Sequence, residues 1–179
     1  MDSDAKDGRF VVGLAAAGDI DDIVALLQAN EPTRGGSLTV RFERAQVAGF
    51  VADMPVIVAR SGARLAGVLI STPVGAVGHL PVIARMLDVY PGGADAYVYG
   101  PICIDERHRG SGLAAMLFDR LKSELPGREG VLFIRRDNGA SLDAHRRKLG
   151  MCQRGAFSLD GVEYVVLSYR AEPSRSGSP

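Results

Sequence analysis

The chain has 179 residues, of which 46% are hydrophobic and 23% are charged. This composition predicts one folded domain with a sizeable core and excludes wholesale disorder. The 21 basic and 21 acidic residues balance to a formal net charge of zero. A broad basic surface is therefore excluded, and we expect no nucleic-acid partner.

Cysteine and histidine are scarce. The two cysteines, Cys103 and Cys152, do not form a CxxC pair, and only three histidines are present. This pattern predicts no metal site, and it leaves a disulfide open. The N-terminal residues are polar and acidic, and no stretch approaches 18 apolar residues, so we expect neither a leader nor a membrane span. These features together predict a reduced, cytoplasmic protein.

The first half of the chain alternates short strands and helices. Ile20, Ile23 and Leu27 recur at helical spacing, and Asp19 precedes them as a candidate N-cap. Residues 1–8 are predicted to be mobile. The predicted elements are a strand over residues 10–14, helices over 20–29 and 41–53, and antiparallel strands over 56–60 and 65–71 joined by the turn 61–64.

The second half opens with an unusual segment, residues 72–95, which contains a predicted helix over 79–90 with Pro81 in its first turn. The apolar side of this helix fits a cover over a substrate, a dimer contact or simple core, and the sequence does not decide among them. The other predicted elements are a strand over 96–104, a loop over 105–112, a helix over 113–125, a strand over 131–137, a helix over 141–149, a hairpin of 151–158 with 162–170, and a disordered tail over 171–179.

The segment Arg109-Gly110-Ser111-Gly112-Leu113-Ala114 carries the clearest chemical signal. It lies between a predicted strand and a predicted helix, where several backbone N–H groups are unpaired and point the same way. Glycines let a phosphate approach closely, and the helix dipole adds positive potential. A Walker loop is excluded because no Gly-Lys-Ser/Thr follows, and a dinucleotide-binding turn is excluded because the glycines come late and at the wrong spacing.

Two motifs resemble those of the GNAT-type N-acetyltransferases. Arg109, Gly112 and Ala114 form Arg-x-x-Gly-x-Ala, which looks like that family's acetyl-CoA signature. Downstream, Asn138, His145 and the Leu149-Gly150 turn resemble its second signature. The resemblance is strong over residues 96–158 and covers residues 10–71 only in element order.

The resemblance implies an α/β fold in one domain over residues 1–170. Its central sheet would be GNAT-like, mixed and mostly antiparallel, with helices on both faces and one parallel strand pair that splays apart. Segment 72–95 would be an insertion into this fold. The arginine-rich composition indicates a GC-rich genome and, with this family, a bacterial source.

Acetyl-CoA is the co-substrate that the resemblance implies. Pantetheine would lie in the gap between the splayed strands, and the pyrophosphate would bind the N–H groups of the glycine-containing loop. The implied binding residues are Ile102, Cys103 and Ile104 through their backbones, Arg109, Gly110, Ser111, Gly112, Leu113 and Ala114 at the loop, and Asn138 and Ser141 along the pantetheine arm.

The implied reaction moves an acetyl group to a primary amine of a small molecule or peptide by direct attack in a ternary complex. His145 is the predicted general acid for the leaving thiolate, and Tyr99 is predicted to protonate the thiolate or to bind substrate, as Tyr97 could. The family's glycine usually follows the His145 position by four residues, whereas Gly150 follows by five, which would displace His145. No carboxylate is a clear base, and Asp95, Glu43 and a water chain all stay open.

Two other functions fit the same residues. One is a catalytically idle acyl-CoA-binding or sensor module of the same fold, and the other is a nucleotide-binding protein that does not use CoA. A covalent route through Cys103 is disfavoured, because the residue lies inside a strand and no Cys/His/Asp set is evident. The acceptor stays open, as does the choice between monomer and homodimer.

Overall fold

A computed structural model describes residues 10–36, 38 and 40–173 of the chain. The predictions for residues 1–8 and for the tail from residue 174 lie outside these described residues. Order extends past the last predicted strand, since Ala171 N donates to Arg128 O at 3.0 Å and Gly127 N donates to Glu172 O at 3.1 Å. Ala171 is buried, so the chain is still packed at this point.

Within the described residues, seven strands form one mixed sheet in the order β1-β2-β3-β4-β5-β7-β6. The ladders β1–β2, β2–β3, β5–β7 and β6–β7 are antiparallel, and β4–β5 is parallel. The predicted mixed, mostly antiparallel α/β fold is therefore confirmed. The strands are β1 Val11–Leu14, β2 Ile57–Ser61, β3 Arg64–Pro73, β4 Tyr97–Ile104, β5 Glu129–Arg135, β6 Cys152–Leu159 and β7 Val162–Arg170.

The helices lie where the sequence predicts them, and the short α3 is an addition. The predicted helix over 141–149 divides into α6 and a π-helical turn. Asp19 stands before α1, but its carboxylate accepts from Ala16 N at 2.8 Å and pairs with Arg60, so it caps the preceding 3-10 turn. The helices are α1 Ile20–Ala29, α2 Arg44–Asp53, α3 Val74–Val77, α4 Pro81–Val89, α5 Leu113–Glu124 and α6 Gly139–Asp143, which continues into the π-helical turn Ala144–Lys148.

The chain divides into two compact units, one containing residues up to 70 with 101–121, the other containing 71–100 with residues from 122 onward. In the first unit, a close approach at Gly67 positions α5. A Cβ at this glycine would lie 2.9 Å from Ile104 Cδ1 and 3.2 Å from Leu117 Cδ1, with Leu113 Cδ2 at 3.3 Å. Because glycine has no side chain, α5 can pack directly onto β3, and its first residue is held there.

In the second unit, α4 packs against β6. Val82, Ile83 and Met86 on its apolar side are buried. A Cβ added to Gly155 of β6 would lie only 2.5 Å from Val89 Cγ1 of α4, so the helix packs closely against this glycine. The apolar side of the 72–95 segment is therefore core of this unit, which is one of the three alternatives that the sequence left open.

Glu129 places a buried carboxylate at the start of β5, with 4% of the residue exposed. Its oxygens accept hydrogen bonds from Tyr90 Oη at 2.9 Å and Gly93 N at 2.8 Å, and Arg170 Nη2 lies at 3.3 Å. Burial acts to raise the pKa of Glu129, but hydrogen bonds from Gly93, Tyr90 and Ser168 together with the Arg170 charge outweigh it and hold the pKa below its usual value. The ionised carboxylate ties the loop after α4 to the sheet.

The edge strand β6 is irregular. Its register with β7 shifts between Gln153 and Gly155, which marks a bulge. At the intervening position, Arg154 Nε donates to Ser168 Oγ at 2.8 Å, and the guanidinium lies 5.1 Å from the centre of the Tyr90 ring. The guanidinium thus contacts Ser168 and the Tyr90 ring, while the residue as a whole stays exposed.

We expect Glu129→Gln to lower the free energy of unfolding at pH 7 by about 2 kcal/mol, the usual value for hydrogen bonds to a charged group. A carboxyl whose folded pKa is lowered contributes stability above its unfolded pKa and loses it as the pH falls through the folded pKa. The difference between wild type and variant should therefore shrink below about pH 4. Urea unfolding at both pH values measures it.

Glu163→Gln is the matched control, because Glu163 is an exposed carboxylate paired with Arg136 at 2.8 Å. It should change the free energy of unfolding by less than about 0.5 kcal/mol. A Glu129→Gln effect that is equally large at pH 7 and pH 3.5 would show that the carboxylate charge is not the cause.

Candidate functional site

The turn before α5 leaves backbone N–H groups open. Gly110 and Gly112 have φ angles of 75° and 81°, and a Cβ on either would meet no atom within 4 Å. Among the described residues, no acceptor faces the N–H groups of Gly112, Leu113 and Ala114. The Ser111 hydroxyl donates to His108 O at 2.6 Å and so braces the turn. The loop therefore presents converging donors at the positive end of a helix, as an anion requires.

Arg109 is anchored to the end of α1. Its Nη2 donates to Asn30 Oδ1 at 3.2 Å, and Asn30 Nδ2 donates to Leu26 O at 2.9 Å. These groups and Arg34 line a cleft of about 450 Å³ beside the loop over residues 105–109. Arg34 has no acidic partner among the described residues. The cleft lining holds three arginines against two carboxylates, Asp105 and Glu106, so it keeps a formal charge of +1.

Asp105 also borders this cleft, but its carboxylate forms an ion pair with Arg107. Arg107 donates to both of its carboxylate oxygens, at 2.9 and 2.7 Å. These hydrogen bonds lower the pKa of Asp105 to about 2. Asp105 therefore stays ionised at neutral pH and is a poor proton acceptor.

The end of β4 contains Ile102, Cys103 and Ile104, the residues predicted to bind pantetheine through their backbones. Cys103 is 3% exposed, and burial raises the pKa of its thiol to about 12. A thiol with this pKa supplies almost no thiolate at neutral pH, which agrees with the expectation against a covalent route. The two cysteines are both free.

The second unit contains a cluster of buried tyrosines. Tyr97 and Tyr99 both make edge-to-face contacts with Tyr169, with ring centres 6.4 and 5.8 Å apart, and the hydroxyls of Tyr97 and Tyr169 share a hydrogen bond. The shared neighbour confirms that Tyr97 and Tyr99 lie on one face of β4. Burial raises the pKa of Tyr99 and raises that of Tyr97 to about 12, so both remain neutral phenols at physiological pH.

His145 lies in the π-helical turn that follows α6. Leu149 N donates to Ala144 O at 3.0 Å, five residues back, and Met151 N donates to His145 O at 3.0 Å. The turn thus accommodates the fifth residue between His145 and Gly150, and Gly150 ends it with a φ of 69°. The expected displacement does not expose the imidazole: His145 is 4% exposed and its ring centre lies 5.7 Å from that of Tyr99.

The hydrogen bonds of His145 define its tautomer. Nδ1 lies 2.8 Å from Ser141 O, an acceptor, so Nδ1 carries the proton. Nε2 is then a bare lone pair, and it is buried without a hydrogen-bond partner among the described residues. Burial lowers the pKa of His145, although the bond to Ser141 O opposes the shift. The resting imidazole is therefore neutral.

Asn138 and Ser141 were predicted to contact the pantetheine arm. Asn138 stands at the N-cap of α6, where its Oδ1 accepts from Ser141 N at 3.2 Å. The Ser141 hydroxyl lies 3.3 Å from His145 Nδ1. The cap thus holds the residue whose carbonyl orients His145, and contact with a ligand stays a prediction for both residues.

The candidate carboxylate bases are paired with arginines. Asp95 accepts from Arg170 at 2.9 and 3.2 Å, and these bonds lower the pKa of Asp95. Glu43 is exposed and lies 3.4 Å from Arg41. The described residues contain no group of three or more potential metal ligands, and none of their helices is long and apolar enough to cross a bilayer.

Sequence reasoning missed the cleft residues Asn30 and Arg34 and the buried Glu129. Asn30 and Arg34 follow α1 in a polar stretch that predicts only a loop, and their approach to Arg109 is a tertiary contact. Glu129 stands between Arg128 and Gly130, a context typical of a turn. Its burial could be suspected only from the apolar run that begins at Val131.

No family model matches the chain, and no curated protein matches it by sequence. Solved structures do match. An N-acetyltransferase from Staphylococcus aureus Mu50 has 18% identity and a TM-score of 0.68 over 92% of this chain and 99% of that one. The Salmonella typhimurium protein yncA, solved with its cofactor acetyl-CoA, has 16% identity and a TM-score of 0.68 over 94% and 98%.

An acetyltransferase of the GNAT family from Bacillus cereus has 15% identity and a TM-score of 0.66 over 91% of this chain and 98% of that chain. Near-complete coverage of both chains in each comparison means that the likeness is one of whole folds. This chain therefore has the fold of the GNAT-type acetyltransferases, as its two motifs suggested.

The exposure of the two cysteines predicts selective alkylation. At pH 8 iodoacetamide should modify the exposed Cys152 and leave Cys103 intact, because the Cys103 thiol is buried and protonated. In denaturant both should react, and mass spectrometry of the peptides measures each. Rapid modification of Cys103 in the folded protein would contradict the inert role assigned to it.

Proposed function

We propose that this protein is an N-acetyltransferase that transfers an acetyl group from acetyl-CoA to a primary amine of a small molecule or peptide. The observation that carries the proposal is the set of open N–H groups at Gly112, Leu113 and Ala114, at the start of α5. Such a set suits a pyrophosphate. The fold shared with acetyltransferases supports the choice of CoA over other phosphate ligands.

Open space and positive charge at the loop support a CoA pyrophosphate as its ligand. The space where Cβ atoms of Gly110 and Gly112 would project is empty, so phosphate oxygens can approach the backbone. Arg109 and Arg34 add positive charge beside the loop. In this proposal the backbones of Ile102, Cys103 and Ile104 bind the pantetheine amides, and Asn138 and Ser141 bind the arm further along.

The reaction depends mainly on correct positioning of the amine and the thioester. Acetyl-CoA supplies an activated acyl carbon, and holding a neutral amine against it provides a large share of the rate enhancement. Two groups of the chain are assigned to the proton transfers: the His145 imidazole, and the Tyr99 phenol as a neutral hydrogen-bond donor. The pKa of Tyr99 is raised by burial, so it suits donation of a hydrogen bond better than full transfer of a proton.

Calorimetry with acetyl-CoA, ADP and ATP tests the binding part. We expect acetyl-CoA to bind more tightly than either nucleotide, and Gly112→Ala to weaken it at least tenfold. An L-residue at φ 81° costs roughly 1–2 kcal/mol, so the loop either keeps that strain or turns its N–H groups away. Tighter binding of ATP would favour the nucleotide-binding alternative.

Gly62→Ala is the matched control, because Gly62 has a φ of 61° in the β2–β3 turn and open space around it. It should lose similar stability and keep the affinity of wild type. Equal loss of affinity in both variants would show that the effect is general destabilisation.

Turnover separates the enzyme from an idle module. Acetyl-CoA is incubated with a panel of primary amines, and released thiol is followed with a chromogenic disulfide. We expect at least one amine to stimulate thiol release together with formation of the N-acetyl product, detected by mass spectrometry. Binding of acetyl-CoA without any amine-stimulated release across the panel would favour the acyl-CoA-binding module.

A further inference from the structure

We infer that His145 enters the reaction as a proton acceptor, and that its Nε2 atom takes a proton from the attacking amine and then delivers it to the departing sulfur. The inference rests on the proposed acetyl transfer. It adds to the predicted general-acid role an earlier step, in which His145 accepts the proton that it later donates. A neutral imidazole with a bare Nε2 has no proton to donate there until it has accepted one.

Geometry on both sides of the ring supports this role. Nδ1 is occupied, since it lies 2.8 Å from Ser141 O and donates to it. Nε2 is buried and has no hydrogen-bond partner among the described residues. Buried acceptors are normally paired, so an open one in a residue 4% exposed points to a partner supplied by a ligand. With Nδ1 protonated, that partner must be a donor such as an amine N–H.

The backbone fixes this orientation. Ser141 is held by the Asn138 side chain at the start of α6, and the π-helical turn from Ala144 keeps the imidazole on the buried side. A π-helical turn is uncommon and often marks a functional site. Here the π-helical turn takes up the additional residue before Gly150. A continuous α-helix of the same length would rotate the residues after the insertion to another side of the helix.

The groups around the imidazole favour the neutral form at rest. From β4 the neutral phenol ring of Tyr99 faces it edge-on, and Tyr169 of β7 lies behind Tyr99. On its own helix the nearest charges, Asp143, Arg146, Arg147 and Lys148, are exposed. No ionised partner that could hold an imidazolium faces the ring among the described residues, and burial accordingly lowers the pKa of His145.

The proposed step balances with one proton. The acceptor arrives as a neutral amine, its ammonium proton having gone to solvent. The nitrogen lone pair forms the N–C bond to the thioester carbon while Nε2 takes one N–H proton. The C–S bond then breaks, its electron pair stays on sulfur, and Nε2 returns the proton to give the free thiol and a neutral amide.

The first measurement uses the free protein and needs no activity. Long-range ¹H–¹⁵N spectra report the tautomer and charge of the three histidines, and loss of one signal set in His145→Asn assigns His145. At pH 7 we expect a neutral ring protonated at Nδ1, which becomes cationic only below the ordinary histidine pKa of about 6.5. A cationic ring at pH 7, or a ring protonated at Nε2, would overturn the inference.

The second measurement is the pH profile of amine-dependent thiol release. For wild type, kcat should fall as the pH drops through the pKa of His145, since a protonated Nε2 cannot accept. His145→Asn, which can still donate to Ser141 O, and His145→Gln should lose about 100-fold or more in kcat and lose this acidic limb. Their affinity for acetyl-CoA should stay within about threefold, because Nε2 acts after binding.

His79→Gln is the control, because His79 is exposed and lies before α4; it should behave as wild type. Circular dichroism and thermal melting verify that each variant is folded. If one variant does not fold, the ¹H–¹⁵N spectra of the wild type still test the charge state of the histidines. If the wild type turns over and the His145 variants are equally active, the role of His145 is overturned while the acetyl transfer stands. Absence of turnover in wild type would overturn the acetyl transfer and this inference with it.

Discussion

The missing side chain at Gly67 lets the first turns of α5 pack closely onto β3. A helix offers its N-terminal N–H groups to an anion only if its side chains hold it firmly, and the side chains that hold α5 here are Leu113 and Leu117, packed with Ile104 over the glycine. A larger residue would crowd the ends of these three side chains, which would have to repack. The open N–H groups of Gly112, Leu113 and Ala114 stand at the end of the helix that this contact holds, beside the brace from Ser111 and the bond from Arg109 to Asn30.

Positive charge is distributed unevenly over a molecule whose net charge is zero. Three cations near the second signature lie beside carboxylates: Arg135 beside Asp137, Arg136 beside Glu163 and Arg147 beside Asp143. In the first unit, by contrast, Arg34 has no acidic partner among the described residues and lines the cleft next to Arg109. Neutrality of the whole chain is thus compatible with a small anion site, because backbone N–H groups contribute potential without contributing formal charge.

The sequence predicts those parts of the fold whose signal is periodic. Helices α1 and α5 and the β6–β7 hairpin follow from apolar spacing and turn residues alone, and the glycine-containing loop follows from chemistry that needs few contacts. The four-residue α3 is too short for a periodic signal. The tautomer of His145 depends on a backbone carbonyl in the preceding turn, and its open Nε2 depends on burial by Tyr99, so neither could be predicted without three-dimensional contacts.

The bulge in β6 has a consequence for how copies of this chain can associate. An unbroken edge strand offers another chain a straight row of backbone donors and acceptors, and sheets grow by strand addition along such rows. At Arg154 the row is interrupted, the strand bends, and the cation lies back over Ser168 and Tyr90. Extension of the sheet past β6 would have to straighten this bend and displace that cation, so the molecule disfavours continuous intermolecular pairing at this edge.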